Sequence, residues 1–326
     1  MPNFKKISKN IQQVIIDNPK KNSQLKWTNV NNAGKTEIEY LRKKFNFKLS
    51  HLRASSAKAN SQRPIITREN DYVFIILHFP ISSRNNANNS RIKAAEIEFF
   101  IGHGFLITMP SAPIESLDEL FNLCKKDNRS FLAFELESSA ILLYEILKKL
   151  LEDSYATLDE NSLAISQAEQ IVFDEDQKKS TSLILNLRHN LINMRKIMQN
   201  HKNIMKHLML MESRIIPPEY LKKYYGELIG QTKTFWETLE NQREMVEVLH
   251  DSYESLSNYR LNNAMKTLTI FYVTFSSMAL VAAIFSIKTE NGMPFLKYAN
   301  NFWVVVVIMG IVGLAMLLLF KKKRWM

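Results

Sequence analysis

The sequence predicts a membrane protein of α+β class, with a mixed α/β N-terminal part, a long helical middle and two C-terminal transmembrane helices. Three observations carry this expectation. Two charge-free apolar runs lie near the C-terminus, short apolar and alternating runs lie between residues 72 and 110, and a helical pattern runs without proline from Glu219 to Met293. With 326 residues and 46% hydrophobic composition there is material for a sizeable core and, by length, two structural units.

The start MPNFKKISKNIQ lacks the continuous apolar stretch of a secretory signal and reads as a frayed tail. YVFIILHF (Tyr72–Phe79), bounded by Asn-Asp and by Pro80, suits a strand covered on both faces. AEIEFFIGHGFLITMP (Ala95–Pro110) alternates into a Gly-His-Gly turn and back out, which predicts a hairpin. SSRNNANNS reads as a polar loop between the strands. Helical spacing appears in Asp118–Leu123 and Phe131–Leu151, so residues 1–157 are expected to form an α/β domain with helices facing a sheet.

Residues 158–262 read as a helical hairpin followed by a stalk helix. Leu183, Leu187, Leu191, Met194, Met198 and Met205 make one apolar stripe on a polar rod that needs a partner helix. Pro217 or Pro218, with Glu219, marks a helix start, and one helix is expected from about Pro218 to about Ile287. It would join the domain to its span without a linker, so movement of one is transmitted to the other. Residues 263–326 form the transmembrane domain, with spans at about 267–287 and 302–320, each long enough for a hydrocarbon core of roughly 30 Å. The basic tail Lys321, Lys322, Lys323 and Arg324 places the C-terminus in the cytoplasm; two crossings put the N-terminal part there too, at the cell (inner) membrane.

The net charge of +11 is uneven: residues 1–70 hold 15 Lys/Arg against 4 Asp/Glu, and the remainder is balanced at 28 against 28. The basic residues are scattered without aromatic stacking platforms, so a solvated surface is expected and nucleic acid is not. The lone Cys124 excludes an internal disulfide framework. His78, His103, His189, His201, His207 and His250 lack metal-ligand spacing and read as structural or surface groups. With 8 glycines, no phosphate-cradling loop and no nucleophile motif, neither an enzyme nor a covalent cofactor is expected.

Several stretches carry a resemblance: WTNV…EIEYLRKKFNF from Trp27, RPIITRENDYVFIILHFP, IEFFIGHGFLITMP, LDELFNLC, LRHNLINMRKIM and DSYESLSNYRLNNAMKTLTI. In order and spacing the chain resembles the CorA-type magnesium transporter family over nearly its whole length. The resemblance implies a homopentamer in the lipid bilayer, an αβα cytoplasmic sandwich, a funnel of stalk helices and a pore lined by the first transmembrane helix. The cargo it implies is Mg2+ or another divalent ion such as cobalt.

One departure stands out. Where the family carries Gly-Met-Asn at the outer end of the first span, this chain has Ser286-Ile287-Lys288. The outer loop keeps Met293-Pro294 of the family's Met-Pro-Glu-Leu and loses its carboxylate; the residue types of the signature recur out of order at Asn291-Gly292-Met293. A hydrated Mg2+ needs oxygen dipoles at a wide mouth. Five Lys288 ammonium groups there would oppose it by more than about 1 kcal/mol apiece even in water, unless Lys288 snorkels outward or pairs with Glu290.

Deeper in the span, Asn262, Met265, Thr269, Tyr272, Ser276, Ala279, Ala283 and Ser286 fall on one helical face. That face reads either as a close-packing surface or as a pore wall of hydroxyl and carbonyl oxygens. By resemblance, Asn262 matches an asparagine at the cytoplasmic mouth, Met265 and Leu268 an apolar constriction that gates by dewetting, and Glu227 a carboxylate that binds regulatory Mg2+; an exposed helix glutamate is the plainer reading. Lys321–Arg324 read as a basic collar or a headgroup anchor. Three functions remain open: a Mg2+ channel, a relative selective for Zn2+, Co2+ or anions, and a non-conducting membrane-anchored sensor or scaffold.

Overall fold

A mixed sheet of seven strands runs through the N-terminal part of the described chain. Its strands are β1 (Phe4–Lys6), β2 (Ile11–Asn18), β3 (Ser23–Val30), β4 (Ile65–Arg68), β5 (Tyr72–Arg84), β6 (Ser90–Gly102) and β7 (Phe105–Pro110). The computed structural model describes residues 4–18, 23–56, 62–84, 90–126, 138–173, 177–210, 221–287, 301–323 and 325. The spatial order is β1-β2-β3-β7-β6-β5-β4, and only β3 and β7 pair in parallel. The expected hairpin is β6–β7, turning at Gly104 with φ +69°, a backbone state glycine adopts without strain.

Two expectations are corrected. The N-terminus is not a frayed tail, because β2 buries Ile11, Val14 and Ile16 and pairs along its length with β3. Buried Gln13, whose Nε2 donates to Thr28 Oγ1 at 3.0 Å, interrupts the apolar alternation that would have announced this strand. The ends of SSRNNANNS are strand and not loop, since β5 continues to Arg84 and β6 begins at Ser90 in register with it; residues 85–89 lie outside the described residues. Pro80 sits inside β5 where β4, paired only to Val73–Ile76, no longer runs alongside; a proline there can lack its N–H at no cost to a second ladder.

The sheet is the middle layer of an αβα sandwich. On one face α1 (Lys35–Phe45) and α2 (Leu49–Ala54) supply Leu41 and Leu52, which with Phe47 pack on Tyr72, Phe74, Ile76, Phe100 and Ile107. On the other lie α3 (Glu115–Lys126), α4 (Ser139–Phe173) and α5 (Gln177–Met198), over the alternate residues Val73, Ile75, Leu77, Phe99 and Ile101. Trp27 joins both neighbours of the parallel pair, donating from Nε1 to Thr108 Oγ1 at 3.1 Å and meeting Phe121 edge-on at 5.0 Å.

Helix α4 runs through residue 157, where a domain boundary was expected, and forms a hairpin with α5. Leu187, Leu191, Met194 and Met198 are buried and Leu183 half-buried, so the stripe finds the partner it required. The rod breaks at Gln199–Asn200, and Met205 belongs to a separate helix, α6 (His201–Leu210). A π-turn (Leu221–Tyr225) leads into α7 (Gly226–Phe285), 60 residues long, and α8 (Asn301–Lys322) follows. Pro217, Pro218 and Glu219, read as the helix start, lie outside the described residues. Two compact units result, Met1–Leu249 and His250–Met326. Within the first, α7 buries Leu228, Phe235, Leu239, Val246 and Leu249. Tyr155 Oη donates to Gln231 O at 2.6 Å, and Gln242 Nε2 donates to Leu158 O at 2.8 Å and Ser162 Oγ at 2.6 Å, which fastens α7 to α4.

Candidate functional site

Among the described residues two helices are long and apolar enough to cross a membrane, and their apolar parts, the C-terminal part of α7 and α8, lie in the second unit. Their mutual contact uses small groups: a Cβ on Gly313 would lie 3.2 Å from Met278 Sδ and 4.0 Å from Thr274 Cγ2, so glycine lets the backbones approach. Along α7, Thr274 and Met278 lie on a face whose positions Ile270, Ser277 and Val281 are likewise buried or half-buried. At about 100° per residue, the stripe Met265, Thr269, Tyr272, Ser276, Ala279 and Ala283 lies roughly 180° around the helix from it.

Asn262, Met265, Leu268, Tyr272, Ser276, Ala279 and Ala283 are exposed and Thr269 partly so. Close packing within one chain is therefore not what this small, polar face serves. Thr269 Oγ1 donates to Met265 O at 2.7 Å, which spends its proton on its own helix and leaves the oxygen lone pairs outward. Ser286 and Ile287 are exposed at the end of α7, whereas Lys288, Glu290, Asn291, Met293 and Pro294 lie outside the described residues. At the other end of α8, Lys321, Lys322 and Lys323 are exposed and Phe320 packs against Trp325 at 5.9 Å; Arg324 lies outside the described residues.

In the first unit, Glu227 opens the first turn of α7, where a carboxylate suits the helix N-terminus. Both its oxygens are engaged within the chain. Tyr144 Oη donates to Oε2 at 2.8 Å, Gln231 Nε2 donates to Oε1 at 3.1 Å, and Lys148 Nζ lies 3.8 Å from Oε1. Burial and the bond to Glu227 push the Tyr144 phenol well up. No group of three or more His, Cys, Asp or Glu is arranged to hold a metal among the described residues.

Sequence reasoning missed a buried polar cluster on the sheet. His78 Nε2 lies 3.0 Å from Glu96 Oε2, which also accepts from Gln62 N at 2.7 Å. Glu98, two residues along the same strand face, is 4% exposed; burial, then its hydrogen bond to Glu96, pushes its carboxyl up to about 9, so it is neutral at pH 7. Both acids line a cavity of about 240 Å3 with Asn32, Ser55 and Ser111. His201 is fully enclosed beside Phe79, ring centroids 5.0 Å apart, and burial pulls its imidazole down to about 4.

A family model described as CorA-like Mg2+ transporter protein matches residues 22–322. The cobalt/magnesium transport protein CorA of Thermotoga maritima is 24% identical over 271 residues, spanning 81% of this chain and 73% of that one. The complete structure of the CorA magnesium transporter from Methanocaldococcus jannaschii superposes with a TM-score of 0.79 at 19% identity, covering 93% of this chain and 92% of that one. The full-length CmaX protein superposes with a TM-score of 0.71 at 16% identity, covering 93% and 89%.

Proposed function

Because the chain belongs to the CorA-like Mg2+ transporter family, we propose that it carries divalent metal cations, Mg2+ foremost, through a pore made by several copies, five by family likeness. The observation that carries this reading is the Asn262–Ala283 stripe, polar and small, turned away from α8 on an otherwise apolar helix. Lipid would offer no partner to its outward oxygen lone pairs and its amide group, whereas water and a hydrated ion would satisfy them. Asn262, Thr269, Tyr272 and Ser276 would offer oxygen to the ion's water shell, which Mg2+ surrenders reluctantly. Ala279 and Ala283 would keep the bore wide, and Met265 with Leu268 would close it by dewetting. The ion's own gradient and the membrane potential would drive transport.

The basic Lys321–Arg324 tail supports cytoplasmic termini in a cell (inner) membrane. In a regulatory role Glu227 would need a second carboxylate from a neighbouring copy, and a bound cation would have to displace Lys148. Ser286-Ile287-Lys288 favours a second reading, selectivity for Zn2+, Co2+ or anions, since lysine is a poor host for Mg2+. Uptake into proteoliposomes separates them: Mg2+ influx that falls when Ala279→Leu narrows the stripe supports the first. Influx only of another ion supports the second, and no influx of any ion leaves a membrane-anchored sensor. Restoring glycine, methionine and asparagine at positions 286–288 should raise Mg2+ flux; unchanged flux counts against loss of the filter as the limit.

A further inference from the structure

A groove of about 530 Å3 lies between α1 and α2 on the first unit, within the size range of small-molecule sites. Its walls combine two chemistries. Ile38 and Leu49 are half-buried apolar groups over the buried Leu52, and Lys35, Arg42 and Arg53 are exposed cations lining the same space. Among the described residues none of these three cations is held in an ion pair. The acid in the lining, Glu39, is bonded to Lys43 at 2.8 Å. Lys35, Ile38, Glu39 and Arg42 share one face of α1, with Lys35 and Arg42 about two turns, roughly 10 Å, apart. Leu49, Leu52 and Arg53 share the facing side of α2.

The surrounding charge deepens the effect, since residues 1–70 carry 15 Lys/Arg against 4 Asp/Glu. A merely solvated basic face would have no apolar floor, and a site for one free phosphate would not spread its cations over two helical turns. We propose that this groove binds a nucleoside di- or triphosphate, with base and sugar on Ile38 and Leu49 and the phosphates on Lys35, Arg42 and Arg53. Guanidinium forks at Arg42 and Arg53 suit paired phosphate oxygens. With no glycine-rich phosphate loop in the sequence, the ligand is bound and not cleaved. The site is independent of which ion the membrane unit carries.

The test is calorimetric titration of ATP, without divalent ions, into the full-length protein in zwitterionic nanodiscs. Saturable binding is expected, weakened about tenfold or more by the double variant Arg42→Ser with Arg53→Ser. Lys196→Ser, an exposed cation on α5, should leave it unchanged, and unchanged melting temperatures certify that the variants fold. Inorganic triphosphate, lacking the base and sugar, should bind several-fold more weakly than ATP. The proposal is overturned by absent saturation, by equal affinity of triphosphate and ATP, or by equal losses in Lys196→Ser and the double variant. Loss of ATP binding when phosphatidylglycerol is added to the discs would assign the groove to a lipid headgroup instead and overturn it too.

Discussion

Helix α7 is one continuous element with two opposite logics of burial. Between Leu228 and Leu249 it buries Leu228, Phe235, Leu239, Val246 and Leu249 against the rest of the first unit and leaves Met245 and Val248 exposed. Between Leu268 and Ile284 the large apolar side chains Leu268, Phe271, Phe275, Leu280 and Ile284 are exposed, and Ile270 is buried. Phe235 is 0% exposed and Phe275 is 65% exposed on the same helix. In water, apolar area removed from solvent drives folding. In lipid that drive is absent, so helices meet through small groups such as Gly313, and the remaining apolar surface simply faces the hydrocarbon or another copy. Exposure thus measures stability in the first unit and surroundings in the second.

The largest effect that would sharpen this contrast is pH-dependent and confined to the first unit. Glu98 has its carboxyl raised from 4.5 to about 9 in the fold. The folded state therefore keeps a proton that the unfolded chain releases, so stability is full below pH 4.5, declines as pH rises through the window and levels off above about 9. Glu98→Gln keeps a donor for Glu96 and cannot ionise. Its melting temperature should draw ahead of wild type between pH 5 and 9, by an amount on the order of several kcal/mol at the alkaline end; parallel curves would refute the buried neutral acid. Next, Phe235→Ala should cost about 3–5 kcal/mol, while Phe275→Ala should stay within about 0.5 kcal/mol in thermal melts of detergent-solubilised protein. Equal losses would break the comparison outright.

A smaller effect is expected in the membrane pair. Gly313→Leu forces a side chain against Met278 and should cost about 1–3 kcal/mol, whereas Gly310→Leu, where a Cβ would meet nothing within 4 Å, should leave melting unchanged. The smallest is Glu227→Gln. The amide oxygen still accepts from Tyr144, while the Gln231 bond to the other oxygen and the long Lys148 contact are lost at a half-exposed position, so a change of about 1 kcal/mol is expected. A larger loss would mean that the carboxylate anchors the start of α7 more firmly than its half-exposed position implies.

What was legible in the sequence follows the same division. Lipid demands unbroken apolarity, so the two long apolar runs could be read directly, and among the described residues α7, ending at Phe285, and α8, Asn301–Lys322, carry them. The stripe from Asn262 to Ala283 could likewise be read as a face from spacing alone. The N-terminal strands could not, because Gln13 and Asn29 are buried and satisfied by cross-strand partners, Thr28 and Thr108, that no local pattern reveals. Glu96 and Glu98 at alternate strand positions are ordinarily a solvent face. Here the end of α2 at Ala54, the residues around Ser55 and the Asn32–Ala33 segment close over them, a tertiary event. The hydrogen bond of Glu227 was not legible, because its partner Tyr144 lies 83 residues away and emerged only from the fold.

The order of the units along the chain has a consequence for biosynthesis. Every described strand of the sheet, including the parallel pair β3 and β7 that must wait for Pro110, is complete before the first crossing begins at Thr267. The intervening stretch of about 150 residues takes a ribosome roughly 8–30 s to add. The strands therefore have time to pair into the sheet before the hydrophobic segments leave the exit tunnel, whereas α5, which ends at Met198, and the α7 residues up to Leu249 emerge later and complete its cover last.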